Sequence, residues 1–226
     1  MESANKIHKL AVFDFCETIA DFQTASAFVD FVRHNTNSFG VRLRNGIYVL
    51  MVKGQVVRLL TVLTAHKYFI GKKLKLWQLK GLSQDFIEAQ ALRFYEERVK
   101  PHLIGATVSR LKELQGEGYT VGLSSGGYGL YLRHFVKEYG IGFCQCSEIG
   151  FRKGKCTGKM AGADCMREEK VRRLSKEFGE DCDGSLAFSD SISDLPLLQW
   201  ASTGVVVSRG EHQRWVEKYG FQEIIW

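Results

Sequence analysis

The stretch KLAVFDFCET, residues 9–18, is an apolar run that ends in two carboxylates and a hydroxyl. Its first seven residues predict a buried β-strand, because they are mostly apolar and contain neither Gly nor Pro. In open α/β sheets, ligands bind beyond the carboxyl ends of the strands. We therefore expect Asp14 to face a ligand, although an aspartate at a strand end is often only a turn residue.

Further apolar runs follow this strand, with helix-like periodicity between them. The alternation predicts an α/β protein with a mainly parallel sheet covered by helices. Asp164 is predicted to cap one of the later helices, with Glu168 and Glu169 in the first turn. The other strands are predicted over residues 119–124, 185–189, 204–207 and 221–225.

Residues 21–100 differ from the rest of the chain, because their periodicity is helical and hardly any strand-like alternation occurs. Thr24 is predicted to start one helix that buries Phe28. Ser83 is predicted to start another helix that runs to about Val99. The sequence thus predicts an all-helical insertion between the first and second strands.

The composition is typical of a soluble globular protein, since 45% of the 226 residues are hydrophobic, 25% are charged and two are prolines. The N-terminal residues lack the pattern of a secretory signal, so we expect a cytoplasmic location. A chain of this length buries a core without disulfides. Mostly free thiols are therefore expected at Cys16, Cys144, Cys146, Cys156, Cys165 and Cys182.

The net charge of +6 is unevenly distributed, because residues 33–80 contain ten Lys or Arg and no Asp or Glu. Such a block attracts an anionic substrate, a membrane surface or nucleic acid, or it is only a solvated basic face. Within it, Lys53 and Arg58 interrupt the apolar residues 47–63, which excludes a membrane span there. We expect a buried bundle helix over these residues, with an interfacial membrane helix as the alternative.

Two more strand ends carry polar residues. Residues 123–128, LSSGGY, run from a strand into hydroxyls and glycines that are predicted to open a helix, where Ser125, Gly126 and Gly127 could cradle a phosphate. Residues 188–196, FSDSISDLP, place Asp190 and Asp194 beyond another strand, and such hard oxygen ligands suit Mg²⁺. The plainer interpretations are a strand-to-helix turn and an Asx turn or helix cap.

Taken in order, Asp14-x-x-x-Thr18, the helical insertion, Ser125-Gly-Gly, a lysine on a helix and Asp190-x-x-x-Asp194 resemble the haloacid dehalogenase superfamily. The closest likeness is to its phosphoserine-phosphatase-like branch, and it covers nearly the whole chain. The resemblance implies a Rossmann-like core of residues 1–20 and 101–226, with residues 21–100 forming an inserted helical cap of the C1 type. It also implies a Mg²⁺-dependent phosphatase in which Asp14 becomes an aspartyl phosphate that water cleaves.

The resemblance also assigns metal ligands and phosphate partners. Asp14, Asp190 and the backbone carbonyl of Cys16 would bind Mg²⁺, and Asp194 would orient metal-bound water. Thr18 and Ser125 would contact the phosphate, with Ser124 as the alternative hydroxyl. Lys170 would neutralise the phosphoryl oxygens, with Lys153, Lys155 and Lys159 as alternatives.

The main departure from the family pattern is Cys16, because phosphatases of this superfamily usually carry an aspartate there that protonates the leaving oxygen. A thiol with a pKa of about 8.5 replaces it poorly, and general acid–base help is worth ~10²–10⁴-fold. The chain could act on an activated phosphate or recruit Glu17 as the acid. It could also be a weak phosphatase, a phosphotransferase or a protein that only binds phosphorylated ligands.

A second departure concerns the substrate. Phosphoserine phosphatases carry a glutamate nine residues after the nucleophile, and this chain has Gln23, which disfavours phosphoserine. A small phosphorylated metabolite, such as a sugar-linked or nucleotide-linked phosphate, is expected, with a lipid phosphate at a membrane surface as the alternative. Nucleic acid is not expected as a partner, and the sequence does not determine the oligomeric state.

Overall fold

The computed structural model describes residues 9–63, 70–180 and 183–226. The strands of this part of the chain are β1 (Leu10–Phe13), β2 (Thr120–Tyr128), β3 (Phe143–Ser147), β4 (Ile149–Arg152), β5 (Lys155–Met160), β6 (Leu186–Ser189), β7 (Thr203–Ser208) and β8 (Gln222–Ile225). Six of them form a parallel sheet in the order β3-β2-β1-β6-β7-β8. The predicted α/β class is confirmed, and the predicted strands all occur with bounds shifted by a few residues.

Ten α-helices of the described residues lie between the first and the last of these strands. They are α1 (Thr24–His34), α2 (Phe39–Lys53), α3 (Val56–Leu63), α4 (Ile70–Trp77), α5 (Gln84–Phe94), α6 (Gly105–Gly116), α7 (Gly129–Tyr139), α8 (Glu168–Phe178), α9 (Leu195–Trp200) and α10 (Arg214–Tyr219). A π-helical turn (Tyr95–Val99) and a 3₁₀ turn (Lys100–His102) follow α5. The predicted helical insertion therefore lies between β1 and β2, while its bounds as a separate domain, residues 21–100, stay a prediction.

β1 lies inside the sheet and pairs with β2 on one side and β6 on the other. All four of its residues are buried, as expected for a parallel strand that helices cover on both faces. Phe13 stacks on Phe188 of β6 with ring centroids 4.1 Å apart. Because β1, β2 and β6 are parallel neighbours, the residues that follow Phe13, Leu123 and Phe188 meet at one edge of the sheet.

β2 is longer than predicted, because it extends through Ser125, Gly126 and Gly127, and α7 begins only at Gly129. The prediction that these glycines open a helix is therefore wrong. The reason is β3, which the sequence analysis missed and which pairs with this part of β2 across a register shift between Ser125 and Tyr128.

The predicted cap of α8 is also wrong. α8 begins at Glu168 with Arg167 before it, and Asp164 lies outside the helix. The Asp164 Oδ1 atom accepts hydrogen bonds from Lys72 Nζ and Ser147 Oγ, each at 2.5 Å. A largely shielded ion pair with a residue of the insertion thus takes the place of a local helix cap.

The single buried helix expected over residues 47–63 is wrong as well. The chain forms α2 and α3 with a break at Gly54 and Gln55, and Gln55 has a φ of 57°. Leu50 and Leu63 are each 71% exposed, so apolar character in this segment does not lead to burial. None of the described helices is long and apolar enough to cross a membrane.

β4 and β5 form an antiparallel hairpin against the insertion. Backbone hydrogen bonds join the hairpin to the segment before α5, from Gly81 N to Cys156 O at 2.8 Å and from Cys156 N to Leu82 O at 2.8 Å. Cys156 is a free thiol, as are the other described cysteines, which the sequence predicted. Cys182 lies outside the described residues.

Phe188→Ala is expected to destabilise the protein by about 3–5 kcal/mol, because the buried ring stacks on Phe13 and its removal leaves a cavity. Chemical denaturation followed by circular dichroism measures the free energy of unfolding. Leu92→Ala is the matched control, because Leu92 is 48% exposed and its truncation is expected to cost about 0.5 kcal/mol or less. Equal losses in the two variants would contradict the central position of Phe188.

Candidate active site

A cavity of about 340 Å³ lies at the carboxyl edge of the sheet. Its core side is lined by Asp14, Lys170, Asp190 and Asp194, which come from the ends of β1 and β6 and from α8. Its other side is lined by residues of α2 and α4, namely Tyr48, Gly71, Lys72 and Lys75. The structure thus brings together residues that the sequence separates by up to 180 positions, from Asp14 to Asp194.

Lys170 is the centre of a buried ion cluster. Its Nζ atom lies 2.8 Å from Asp14 Oδ1 and 2.6 Å from Asp194 Oδ2, and the side chain is 2% exposed. Ser189 Oγ donates a further hydrogen bond to Asp194 Oδ2 at 2.8 Å. The alternatives Lys153, Lys155 and Lys159 are exposed on or beside β5, so it is Lys170 that contacts Asp14.

Burial and ion pairing oppose each other in this cluster. Burial raises the pKa of Asp14, and the positive charge of Lys170 works against that rise. Burial alone would lower the pKa of Lys170, but the charges of Asp14 and Asp194 outweigh it and hold that pKa above its ordinary value. The two carboxylates therefore favour the charged form of Lys170.

Asp190 is the third carboxylate of the cavity. Its backbone N donates to Thr18 Oγ1 at 3.0 Å, and Thr18 Oγ1 donates to Asp190 Oδ1 at 3.1 Å. Burial and the nearby charge of Asp14 raise the pKa of Asp190 to about 7. Lys170 thus pairs with Asp14 and Asp194, whereas Asp190 is hydrogen-bonded to Thr18.

The donor set of the cavity fits a hard divalent cation. Mg²⁺ prefers carboxylate oxygens and is commonly held by one or two carboxylates, with water and substrate oxygens as its other ligands. Asp14 and Asp190 supply two such groups on one wall of the cavity. Among the described residues, no group of three or more His, Cys, Asp or Glu side chains is arranged to hold a metal ion. A two-carboxylate site therefore fits the residues present.

Cys16 does not have the properties of a catalytic acid. Its Sγ atom lies 3.0 Å from Thr24 Oγ1, which in turn lies 2.7 Å from Tyr131 Oη. Burial and the charge of Asp14 raise the pKa of Cys16 to about 11. The thiol therefore holds its proton much more tightly than a carboxyl group would.

Glu17 lines the same cavity and has an unusual backbone conformation, with a φ of 56°. This left-handed region is uncommon for residues other than glycine, and strained positions of this kind cluster at functional sites. Gln23 Nε2 donates a hydrogen bond to Glu17 Oε2, so these two cavity residues are held together.

The predicted phosphate partners lie close to the cavity, but their polar groups are mostly engaged. Thr18 and Ser125 are fully buried. Ser125 Oγ accepts a hydrogen bond from Gly127 N at 3.1 Å, while Thr18 is bonded to Asp190. Gly126 lines the cavity, and a Cβ atom there would lie 2.8 Å from Met166 Cγ. The roles of these residues toward phosphate stay predictions.

Lys72 and Lys75 are cavity residues that the sequence analysis did not single out. Lys72 Nζ donates to Gly126 O at 2.6 Å and forms the ion pair with Asp164. Lys75 Nζ lies 2.7 Å from Asp30 Oδ2. Their only sequence signal was membership of the basic block of residues 33–80, which does not indicate which lysines face inward.

The chain matches the family model of haloacid dehalogenase-like hydrolases over residues 11–199. It is 28% identical over 130 residues to a phosphoserine phosphatase of Streptococcus thermophilus, a match that covers 56% of this chain and 57% of that relative. The chain therefore spans little more than half the length of this curated relative.

Two solved structures show the same fold. A protein of unknown function from Bordetella pertussis Tohama I superimposes with a TM-score of 0.76 at 19% identity, covering 96% of this chain and 98% of that one. A phospho-aspartyl intermediate analogue of phosphoserine phosphatase superimposes with a TM-score of 0.60 at 18% identity, covering 95% of this chain and 99% of that one.

Asp190→Asn is expected to stabilise the metal-free protein above pH 7 by roughly 1–4 kcal/mol. The pKa of Asp190 is about 7 in the folded protein and about 3.9 in an unfolded chain. Ionisation between about pH 4 and 7 therefore lowers the stability of the wild type progressively as the pH rises, and the variant lacks this loss. Thermal unfolding in EDTA at pH 8 and pH 4 measures the difference, which is expected to vanish at pH 4.

Asp183→Asn is the control for this experiment, because Asp183 is exposed and its substitution is expected to leave the melting temperature unchanged. Saturating Mg²⁺ is expected to stabilise the wild type more than Asp190→Asn. A variant that is less stable than the wild type at pH 8 in EDTA would show that the Asp190 carboxylate is not a destabilising charge.

Proposed function

This chain belongs to the haloacid dehalogenase-like hydrolase family, and we propose that it is a Mg²⁺-dependent phosphatase that acts through an aspartyl phosphate on Asp14. The observation that carries the proposal is the buried contact of 2.8 Å between Lys170 Nζ and Asp14 Oδ1 at a cavity that Asp190 also lines. A carboxylate nucleophile, a fixed cation and a second carboxylate at one strand edge are the groups that phosphoryl transfer requires.

Asp14 is the proposed nucleophile. Its carboxylate must be ionised to attack, and the neighbouring Lys170 favours the ionised form against the effect of burial. One Asp14 oxygen forms a bond to phosphorus while the bond from phosphorus to the leaving oxygen breaks. Water then cleaves the aspartyl phosphate, which releases phosphate and regenerates Asp14.

The other residues position charge around this reaction. Asp14, Asp190 and the Cys16 carbonyl would hold Mg²⁺, which supplies positive charge to the phosphoryl oxygens. Asp194 and Ser189 hold the Lys170 ammonium through the hydrogen bonds at Asp194 Oδ2. Asp194 would thus help to position Lys170 for the reaction. The family resemblance implies a second role for Asp194, which is to orient metal-bound water.

Glu17 is the proposed acid for the leaving oxygen. The Cys16 thiol, with a pKa of about 11, donates a proton poorly, whereas Glu17 lines the same cavity as the nucleophile. The left-handed backbone at Glu17 and the hydrogen bond from Gln23 support a fixed position for this carboxyl group. Glu17 would then remove a proton from the attacking water in the second step.

The proposed substrate is a small phosphorylated metabolite that is more anionic or larger than phosphoserine. The similar proteins are phosphoserine phosphatases, but Gln23 lies at the cavity wall where those enzymes are expected to have a glutamate. Lys72 and Lys75 face the same cavity. Sugar-linked and nucleotide-linked phosphates suit this basic wall, because their charge and hydroxyl groups match it.

Asp14→Asn is expected to lower phosphate release by at least about 10³-fold, because an amide does not attack phosphorus. The measurement is the release of inorganic phosphate from a broad panel of phosphate esters with Mg²⁺ present. Asp183→Asn makes the same chemical change at an exposed position and is expected to retain wild-type activity. Undiminished activity in Asp14→Asn would refute the assignment of the nucleophile.

Glu17→Gln is expected to lower kcat on alkyl phosphates by ~10²–10⁴-fold, because the alkoxide leaving group needs a proton. The loss on p-nitrophenyl phosphate is expected to be much smaller, since its leaving group departs as an anion. Steady-state kinetics on the two substrates give the comparison. Adding Cys16→Asp to Glu17→Gln is expected to restore alkyl phosphate activity in part.

Glu168→Gln provides the matched control, because Glu168 is an exposed residue of α8. Equal losses on the two substrates in Glu17→Gln would indicate a positioning role for Glu17. A large gain from Cys16→Asp alone would show that the native site lacks an acid altogether.

A further inference from the structure

α2 and α3 expose an unusual amount of apolar surface. Of the thirteen large hydrophobic side chains that are exposed in the described part of the chain, ten lie on these two helices. They are Phe39, Leu43, Ile47, Val49, Leu50, Val52, Val56, Leu59, Val62 and Leu63. Exposed apolar residues are otherwise scattered singly on folded proteins, so ten of them on two consecutive helices indicate an interaction surface.

All the charged side chains of α2 and α3 are basic. Arg42, Lys53 and Arg58 are exposed on them, and the whole stretch of residues 33–80 contains no carboxylate side chain. An apolar surface with basic residues and no acidic ones complements a partner that is apolar inside and negatively charged at its surface. An anionic phospholipid bilayer has both properties.

An apolar groove of about 560 Å³ continues this surface. It lies between α2, α4 and the β4–β5 hairpin, and its walls include Ile47, Met51, Leu74 and Trp77. Lys159 also lines it, at the exposed outer side of β5. Alkyl chains fit an apolar groove of this kind, and the lysine provides a contact for a headgroup phosphate.

We propose that α2 and α3 dock on the surface of an anionic phospholipid bilayer, with the groove receiving acyl chains. The helices are too short to cross the membrane, so they would lie in its interface. A second copy of this chain is a poorer occupant, because two such surfaces would bring Arg42, Lys53 and Arg58 against the same positive charges.

Docking of this kind leaves the catalytic cavity accessible, because different residues of α2 and α4 line the cavity and the groove. On α4, Lys72 and Lys75 line the cavity, whereas Leu74 and Trp77 line the groove. On α2, Tyr48 lines the cavity and Ile47 lines the groove. The insertion therefore has a polar inner side for the reaction and an apolar outer side for the bilayer.

Vesicle flotation tests the proposal with the full chain. The wild type is expected to float with vesicles of equimolar phosphatidylcholine and phosphatidylglycerol, and at least about tenfold less with phosphatidylcholine alone. The triple variant Leu50→Glu, Leu59→Glu, Leu63→Glu is expected to lose at least about tenfold of the bound fraction. The control variant Leu92→Glu, Ile225→Glu alters residues of similar exposure elsewhere, 48% and 51%, and is expected to bind like the wild type.

A second pair of variants tests the charge without changing the apolar surface. Lys53→Gln, Arg58→Gln is expected to weaken binding to the anionic vesicles about tenfold. Lys112→Gln, Lys137→Gln removes the same charge from exposed positions on α6 and α7 and is expected to have little effect. Circular dichroism melting curves check that each variant is folded.

Three results would overturn the proposal. The first is a wild type that does not float with anionic vesicles, and the second is a triple variant that still binds them. The third is a wild-type dimer in sedimentation equilibrium that the triple variant converts to a monomer, which would assign the surface to a second copy. Asp14→Asn is expected to bind vesicles normally, so failure of the proposed phosphatase activity and failure of docking are distinguishable.

Discussion

A lysine buried between two carboxylates is the constraint on which the rest of this structure depends. Lys170 from α8 lies against Asp14 at the end of β1 and Asp194 beyond β6. Removing charges from water is costly, and taking away one member of a buried pair typically costs about 3–5 kcal/mol. The contacts that join α8 to the ends of β1 and β6 are therefore the same contacts that set the charge of the cavity.

The charge of Asp14 in this cluster affects the pKa values of two neighbouring groups, Asp190 and Cys16. Burial and the charge of Asp14 raise the pKa of Asp190 to about 7. A divalent cation or an ammonium group close to Asp190 would favour its ionised form. The raised pKa of Cys16 has the same two origins, burial and the charge of Asp14. The negative charge that would bind a cation thus also makes the Cys16 thiol a poor acid. For this reason Glu17 is the proposed proton donor.

The helical insertion lines both the polar cavity and the apolar groove, with different residues of the same helices. α4 directs Lys72 and Lys75 to the cavity and Leu74 and Trp77 to the apolar groove. Lys72 is held by Gly126 O and Asp164, so the inner side is tied to the core by polar contacts. The outer side of α2 and α3 has no comparable covering within the described residues, and the proposed bilayer contact would bury it. Substrate binding and docking would then share one structural unit.

The sequence by itself determined the α/β class, the central strands and the carboxylates at their ends, because apolar runs and the polar residues that interrupt them are local signals. It indicated Lys170 only through a family resemblance, and it misplaced the cap of α8 and the start of α7. The tertiary structure alone decided that Asp164 pairs with Lys72, 92 positions away, that β3 extends β2 through the glycines, and that Leu50 and Leu63 stay exposed. Periodicity shows which side chains are apolar, but whether another layer covers them depends on how distant segments pack.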